Sequence, residues 1–225
     1  MLTVRSTMEG HRQHTALVFL PGRKDRAEVF EREGFFEAAR RHGLTAELIA
    51  ADAHTGYYVR GTLVRRLHND VVEPARRRGD SRIILVGVSI GAYGAIRYAM
   101  AHPGTVSVLV LLSPFLGAGS AMREIAEAGD VDFDETWDWL KRYPKNDSAE
   151  QREASGYPRI ILGYGREDLF LKTDGELREL LPPQDVLTAF GAHLWSTWRA
   201  LFEELLDKDL LALEPSSATE PRDKK

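Results

Sequence analysis

Short apolar runs recur along the chain, separated by stretches in which apolar residues return every three or four positions. The runs are Thr15 to Leu20 (TALVFL), Ala46 to Ala50, Arg82 to Val86 (RIILV), Val106 to Leu112 (VSVLVLL), Arg159 to Leu162 (RIIL) and Val186 to Phe190. They are nearly continuous rather than alternating, as strands of a parallel sheet covered on both faces are. Between them, Phe35 to His42 and Val59 to Arg78 read as helices, the second with Leu63, Leu67 and Val71 on one stripe. A small-residue helix runs from Ile90 to His102 and stops before Pro103, another lies between Lys172 and Leu181, and the last runs from Trp195 to Leu206. Strand alternating with helix predicts an α/β domain, a mostly parallel sheet of about six strands with right-handed crossovers and helices on both faces.

One stretch interrupts this rhythm. Residues 114–157 carry no strand pattern but hold two helical segments, AMREIAEAG and the aromatic ETWDWLKRY. The insertion is expected either as a small cap over a pocket or as an ordinary crossover helix with surface decoration. Residues 1–14 are polar and expected to be a flexible segment, 15–211 the folded domain, and the Pro-, Ser- and charge-rich residues 212–225 a disordered tail.

Composition narrows the function classes. The chain has 225 residues, 43% hydrophobic and 28% charged, with a formal net charge of -4. That charge gives no basic footprint for nucleic acid, and Arg76-Arg77-Arg78 reads as a solvated helix end. With no cysteine, a disulfide framework, a thiolate metal site and a cysteine nucleophile are all excluded. No H-x-x-x-H pair suggests a metal, and no cofactor is expected. The segment Gly87 to Gly94 does not match the dinucleotide fingerprint. No apolar stretch reaches the length of a membrane span and no signal peptide is visible, so a cytoplasmic location is expected. Oligomeric state is not readable.

The chemistry centres on Gly87-Val88-Ser89-Ile90-Gly91, which follows the RIILV strand and opens the Ala-rich helix. That context suits a nucleophile elbow, with the Ser hydroxyl at the carboxyl end of the sheet beside a helix N-terminus. A serine needs a base, and the base an orienting acid. Of seven histidines, only His102 and His193 follow Ser89. His102 ends the helix that Ser89 begins, about 18 Å away at about 1.5 Å per residue, and reads instead as a helix C-terminal cation. His193 remains, just past the sixth run. Asp168 follows the fifth run and is the expected acid, with Glu167 as the alternative; Asp174 and Asp185 are less well placed. The backbone N–H groups of Ile90 and of Arg23, in Leu20-Pro21-Gly22-Arg23, are expected to form an oxyanion hole. His54, Tyr57 and Phe115 are candidates for the pocket, although His54 and Tyr57 equally suit packing of their own loop. Trp195 and Trp198 read as core anchors, and Trp137 and Trp139 as pocket lining if the insertion is a cap.

These segments resemble the α/β-hydrolases. GVSIGAYGAIRYAMAHP looks like their elbow and following helix, GYGREDLF resembles their acid turn, and GAHLWSTW is similar to the ending of small serine esterases. The resemblance covers roughly Thr15 to Leu206. It implies the α/β-hydrolase fold, a triad of Ser89, Asp168 and His193, oxyanion donors at Arg23 and Ile90, and a small-molecule ester as substrate. Pro21 stands where many relatives have His, and the opening antiparallel strands of larger members are expected to be missing. The leading expectation is hydrolysis of a small carboxylic ester through an acyl-serine. A thioesterase or acyltransferase would use the same residues, and a catalytically silent binding domain is the alternative from another class.

Overall fold

The computed structural model describes residues 1–6, 14–117 and 131–211. The apolar runs become β2 (Thr15–Leu20), β3 (Glu47–Ala51), β4 (Arg82–Val88), β5 (Val108–Leu112), β6 (Arg159–Gly165) and β7 (Val186–Ala189), preceded by β1 (Thr3–Ser6). They form one sheet in the order β1-β3-β2-β4-β5-β6-β7. Every pairing from β3 to β7 is parallel, while β1 runs antiparallel to β3 with Val4 opposite Ala50.

Strand β1 corrects, at Thr3–Ser6, the reading of residues 1–14 as a flexible segment and supplies an opening antiparallel strand where such strands were expected to be missing. Its sequence signal is weak because it is a four-residue edge strand, only partly buried. Residues 7–13, the expected tail 212–225 and the helix expected at AMREIAEAG lie outside the described residues.

All six residues of β2 are buried, and their alternation divides the core. Ala16, Val18 and Leu20 belong to one layer, packed with Leu63, Leu67, Ile96 and Leu177. Leu17 and Phe19 belong to the other, packed with Phe30, Phe35, Leu201 and Phe202. On the second face lie α1 (Val29–Arg32), α2 (Phe35–Arg41) and, far along the chain, a helix at Trp195–Asp207; the Phe35 and Phe202 rings stack there at 4.9 Å. The central strands are therefore covered on both sides, which is why they read as continuous apolar runs.

The helix expected over Val59 to Arg78 is broken. It appears as α3 (Thr55–Val59), α4 (Leu63–Leu67), a π-helical turn (His68–Val72) and α5 (Glu73–Arg77). Gly61, at φ 61°, turns the chain between α3 and α4, and Pro74 has no N–H to continue the normal ladder through the π turn. Leu63, Leu67 and Val71 stay buried on the expected stripe. The remaining helices are α6 (Ile90–Ala101), α7 (Phe133–Lys141), α8 (Ala149–Ala154), α9 (Leu171–Glu179) and α10 (Trp195–Asp207).

In the insertion, Asp132 caps α7 by accepting from the Glu135 N–H at 2.8 Å. Its own N–H donates to the Tyr93 hydroxyl on α6 at 3.1 Å, and Arg97 of α6 pairs with Glu135. Trp137 donates to the Leu116 carbonyl at 3.1 Å and Trp139 stacks on Tyr157 at 4.7 Å. Helix α7 is thus fastened to the body of the domain. His102 also departs from expectation. It stacks on His68 at 4.3 Å with the rings 6° apart, and burial together with His68 pushes its pKa down. It sits there as a neutral ring rather than a helix C-terminal cation.

Candidate active site

Ser89 stands between β4 and α6 with φ 53° and ψ -117°. Positive φ on a non-glycine residue costs on the order of 1–3 kcal/mol and persists only where its surroundings enforce it. Here two glycines allow the enforcing contacts. A Cβ on Gly87 would lie 2.4 Å from the Ala92 backbone, and one on Gly91 would lie 2.1 Å from the Leu20 carbonyl oxygen. The Ser89 N–H donates to the Leu112 carbonyl at 2.9 Å, and its carbonyl accepts from the Phe115 N–H at 3.1 Å. The elbow is therefore tied to β5 and to the loop beyond it. Ile90 opens α6, where the first N–H groups have no intrahelical acceptor and the helix dipole favours negative charge.

Asp168 and His193 come from loops that follow β6 and β7 at the same carboxyl edge. The loops are joined by hydrogen bonds from the Arg166 N–H to the Ala189 carbonyl (2.9 Å) and from the Glu167 N–H to the Gly191 carbonyl (3.0 Å). His193 Nδ1 lies 3.0 Å from both carboxylate oxygens of Asp168. As Nδ1 donates to the carboxylate, the neutral ring carries its lone pair on Nε2. Asp168 also accepts from the Phe170 N–H at 2.9 Å. Burial pushes its carboxyl up, but donation by His193, the Phe170 N–H and the Ser113 hydroxyl, together with the His193 charge, holds it below the ordinary carboxylate value. Glu167 is exposed beside it, and Asp185 is paired with Arg159 at 2.6 Å. The structure thus joins His193 to Asp168, not to the alternative acid.

Asp174, which sequence reading set aside, is fully buried on α9 with no hydrogen-bond partner for either carboxylate oxygen. Burial and the negative charge of Asp168 push its carboxyl up to about 8. The neighbouring carboxyls therefore hold one negative charge near neutrality, and it resides on Asp168. An unfolded Asp ionises near 3.8. Between that pH and about 8 the folded chain keeps a proton that the unfolded chain has lost, so stability falls as pH rises through this window. The depressed Asp168 acts oppositely: its contribution is present above the unfolded value and lost as pH falls through the folded one. Asp174→Asn removes the first slope. Its thermal midpoint should gain on that of the wild type between pH 5 and pH 8, by roughly 8 °C, as scanning calorimetry at the two pH values would show.

The loop after β2 closes the other side of the elbow. A Cβ on Gly22 would lie 3.7 Å from the Ser89 Cβ and 3.5 Å from Asp25 Oδ2. Burial pushes the Asp25 carboxyl up, against the Trp195 indole and Arg32. Arg26 grips Asp52 through two hydrogen bonds of 2.6 and 2.5 Å, linking the loops after β2 and β3. His54 caps α3, with Nδ1 accepting from the Gly56 N–H at 3.1 Å, and packs against Tyr57 at 4.6 Å. Phe115 is buried with its ring against Phe133 and Phe170. Trp195 packs on Phe30 and Phe35. Trp198 packs edge-to-face on His193 at 4.7 Å and donates to the Ser113 hydroxyl at 2.9 Å. Ser113 and Asp25 carried no sequence motif, and only their places just past β5 and β2 could have drawn notice. Among the described residues no group of three or more His, Asp or Glu side chains is arranged to hold a metal ion, and no helix is long and apolar enough to cross a membrane.

Solved structures share this architecture. A ferulic acid esterase superposes with a TM-score of 0.66 at 12% identity, over 91% of this chain and 95% of that one. Est1E from Butyrivibrio proteoclasticus gives 0.64 at 14%, over 93% and 92%. The S-formylglutathione hydrolase FrmB from Staphylococcus aureus gives 0.62 at 15%, over 88% and 81%. At these identities the likeness shows the fold. No curated protein sequence matches the chain. The Esterase family model, described as "Putative esterase", matches residues 9–208. The chain belongs to that family and has the α/β-hydrolase fold.

Proposed function

We propose that the protein is a serine hydrolase that cleaves a small carboxylic ester through an acyl-Ser89 intermediate. The observation that carries this reading is Ser89 held at φ 53° on the elbow at the sheet edge where His193 is bonded to Asp168. His193 Nε2 takes the Ser89 proton as Oγ attacks the ester carbonyl. The oxyanion is received by the N–H groups of Ile90 and Arg23, and Asp168 holds the ring and stabilises the imidazolium. His193 then passes the proton to the departing alcohol, and water releases the acyl group by the same steps reversed. His54 and Tyr57, on the segment after β3, are the substrate contacts proposed for this site.

A thioester fits the same machinery, and one similar fold is named as a hydrolase of S-formylglutathione. The step that both readings share is acylation. Mixing the protein with p-nitrophenyl acetate should give a burst of about one p-nitrophenol per chain, with the acetyl group on the Ser89 peptide after acid quench. Turnover without an acetylated serine would refute the covalent route.

A further inference from the structure

Four side chains of the site close on one another. His193 Nδ1 donates to Asp168 at 3.0 Å, the His193 ring meets Trp198 at 4.7 Å and 89°, and Trp198 Nε1 donates to Ser113 Oγ at 2.9 Å. On the fourth side the Ser113 hydroxyl acts on the Asp168 carboxylate as a donor that lowers its pKa. The indole N–H occupies a lone pair of Ser113 Oγ and can only donate, so the Ser113 proton is left to point elsewhere. Asp168, acceptor-only when ionised, takes it. Ser113 is fully buried, and its N–H is fixed to the Gly163 carbonyl at 2.8 Å. Its φ is 46°, a backbone that suits glycine. The residue present instead has a side chain that accepts and donates at once, linking the indole beneath His193 to the carboxylate beside it.

We propose that Ser113 is a positioning residue for the catalytic acid, holding the Asp168 carboxylate in the plane that His193 Nδ1 requires, with Trp198 orienting the Ser113 hydroxyl. The inference rests on the serine-hydrolase reading above. Ser113 touches neither substrate nor reacting atoms, and it acts by limiting the carboxylate to one orientation and sharing its charge. Without it, Asp168 is free to rotate and His193 spends less time aimed at Ser89. The carboxylate, having lost one donor, draws the imidazolium proton more strongly.

The test uses two variants of the whole chain. Ser113→Ala removes the hydroxyl but leaves a Cβ at positive φ and an unpaired indole N–H. Ser113→Gly removes the hydroxyl and relieves the backbone. Both should lower kcat for p-nitrophenyl acetate about tenfold with KM within about twofold. Both should move the acid limb of kcat/KM to higher pH by roughly half a unit. The Gly variant should also melt above the Ala variant. If the Gly variant keeps the wild-type kcat, or if the acid limb stays in place in both, Ser113 merely satisfies the indole and the proposal fails. A wild-type protein that neither turns over esters nor acylates Ser89 would instead overturn the serine-hydrolase reading itself.

Discussion

Ser89→Ala is expected to lower ester turnover by about four to six orders of magnitude while the protein remains folded. A triad acts as a unit, so losing the nucleophile removes nearly all that its members contribute together, and the residue left comes from oxyanion donors and binding. Folding should not suffer, because the Ser89 side chain makes no capping hydrogen bond to α6. Alanine keeps the Cβ and hence the strain at φ 53°. Ser89→Gly should be equally inactive but more stable by about 1 kcal/mol, a rise of about 2–4 °C at this chain length. Steady-state assay and a melting curve on the two variants would check this. The opposing signs for activity and stability identify an elbow whose strain serves the hydroxyl's exposure, whereas a buried structural serine would lose stability in both.

The second large effect is expected at Gly91, which contributes no functional group. A methyl there meets the Leu20 carbonyl oxygen at 2.1 Å, with the Leu20 carbonyl carbon and the Pro21 oxygen both at 2.7 Å. All three are backbone atoms, so the clash cannot be relieved by a rotamer change. The first turn of α6 and the loop carrying Gly22 and Arg23 would have to separate. These two segments supply the proposed oxyanion donors, so Gly91→Ala should lose roughly 100-fold or more in kcat together with about 3 kcal/mol of stability. Gly175 provides the contrast: it lies in α9 with nothing within 4 Å of an added Cβ. Gly175→Ala should be stabilising by up to about 1 kcal/mol. Denaturant titration with parallel kinetics distinguishes the two. A Gly91→Ala enzyme with wild-type kcat would mean that the loop after β2 takes no part in the reaction.

Much of this was legible in the order of residues. Strands buried on both faces leave continuous apolar runs, and β2 to β7 follow those runs, with boundaries shifted by at most a few residues. Gly87 and Gly91 flank Ser89 because the turn admits no side chain at either place, so GVSIG was readable as a steric requirement. Strand β1 was not, since four partly buried edge residues leave no periodic signal. The break at Gly61 and the π turn before Pro74 were hidden inside a helical stripe that stays buried regardless of which backbone ladder carries it. What sequence conceals most is pairing at long range. Ser113 and Trp198 are 85 positions apart, and nothing local says that one hydrogen-bonds the other. His102 shows the same limit. Its position at a helix end predicts a cation, and only its burial, together with its contact with His68, reveals a neutral ring. Asp174 likewise has a polar residue's sequence signature and a core residue's burial.

Labelling with a fluorophosphonate probe, followed by mass spectrometry of the modified peptide, tests the central claim most directly. The probe needs no assumption about the acyl group or the alcohol, and it reacts with a serine that its surroundings have activated. The account predicts a single modification at Ser89, abolished in Ser89→Ala and strongly slowed in His193→Ala. Absence of labelling in the native protein, or labelling of Ser89 at an undiminished rate without His193, would contradict it.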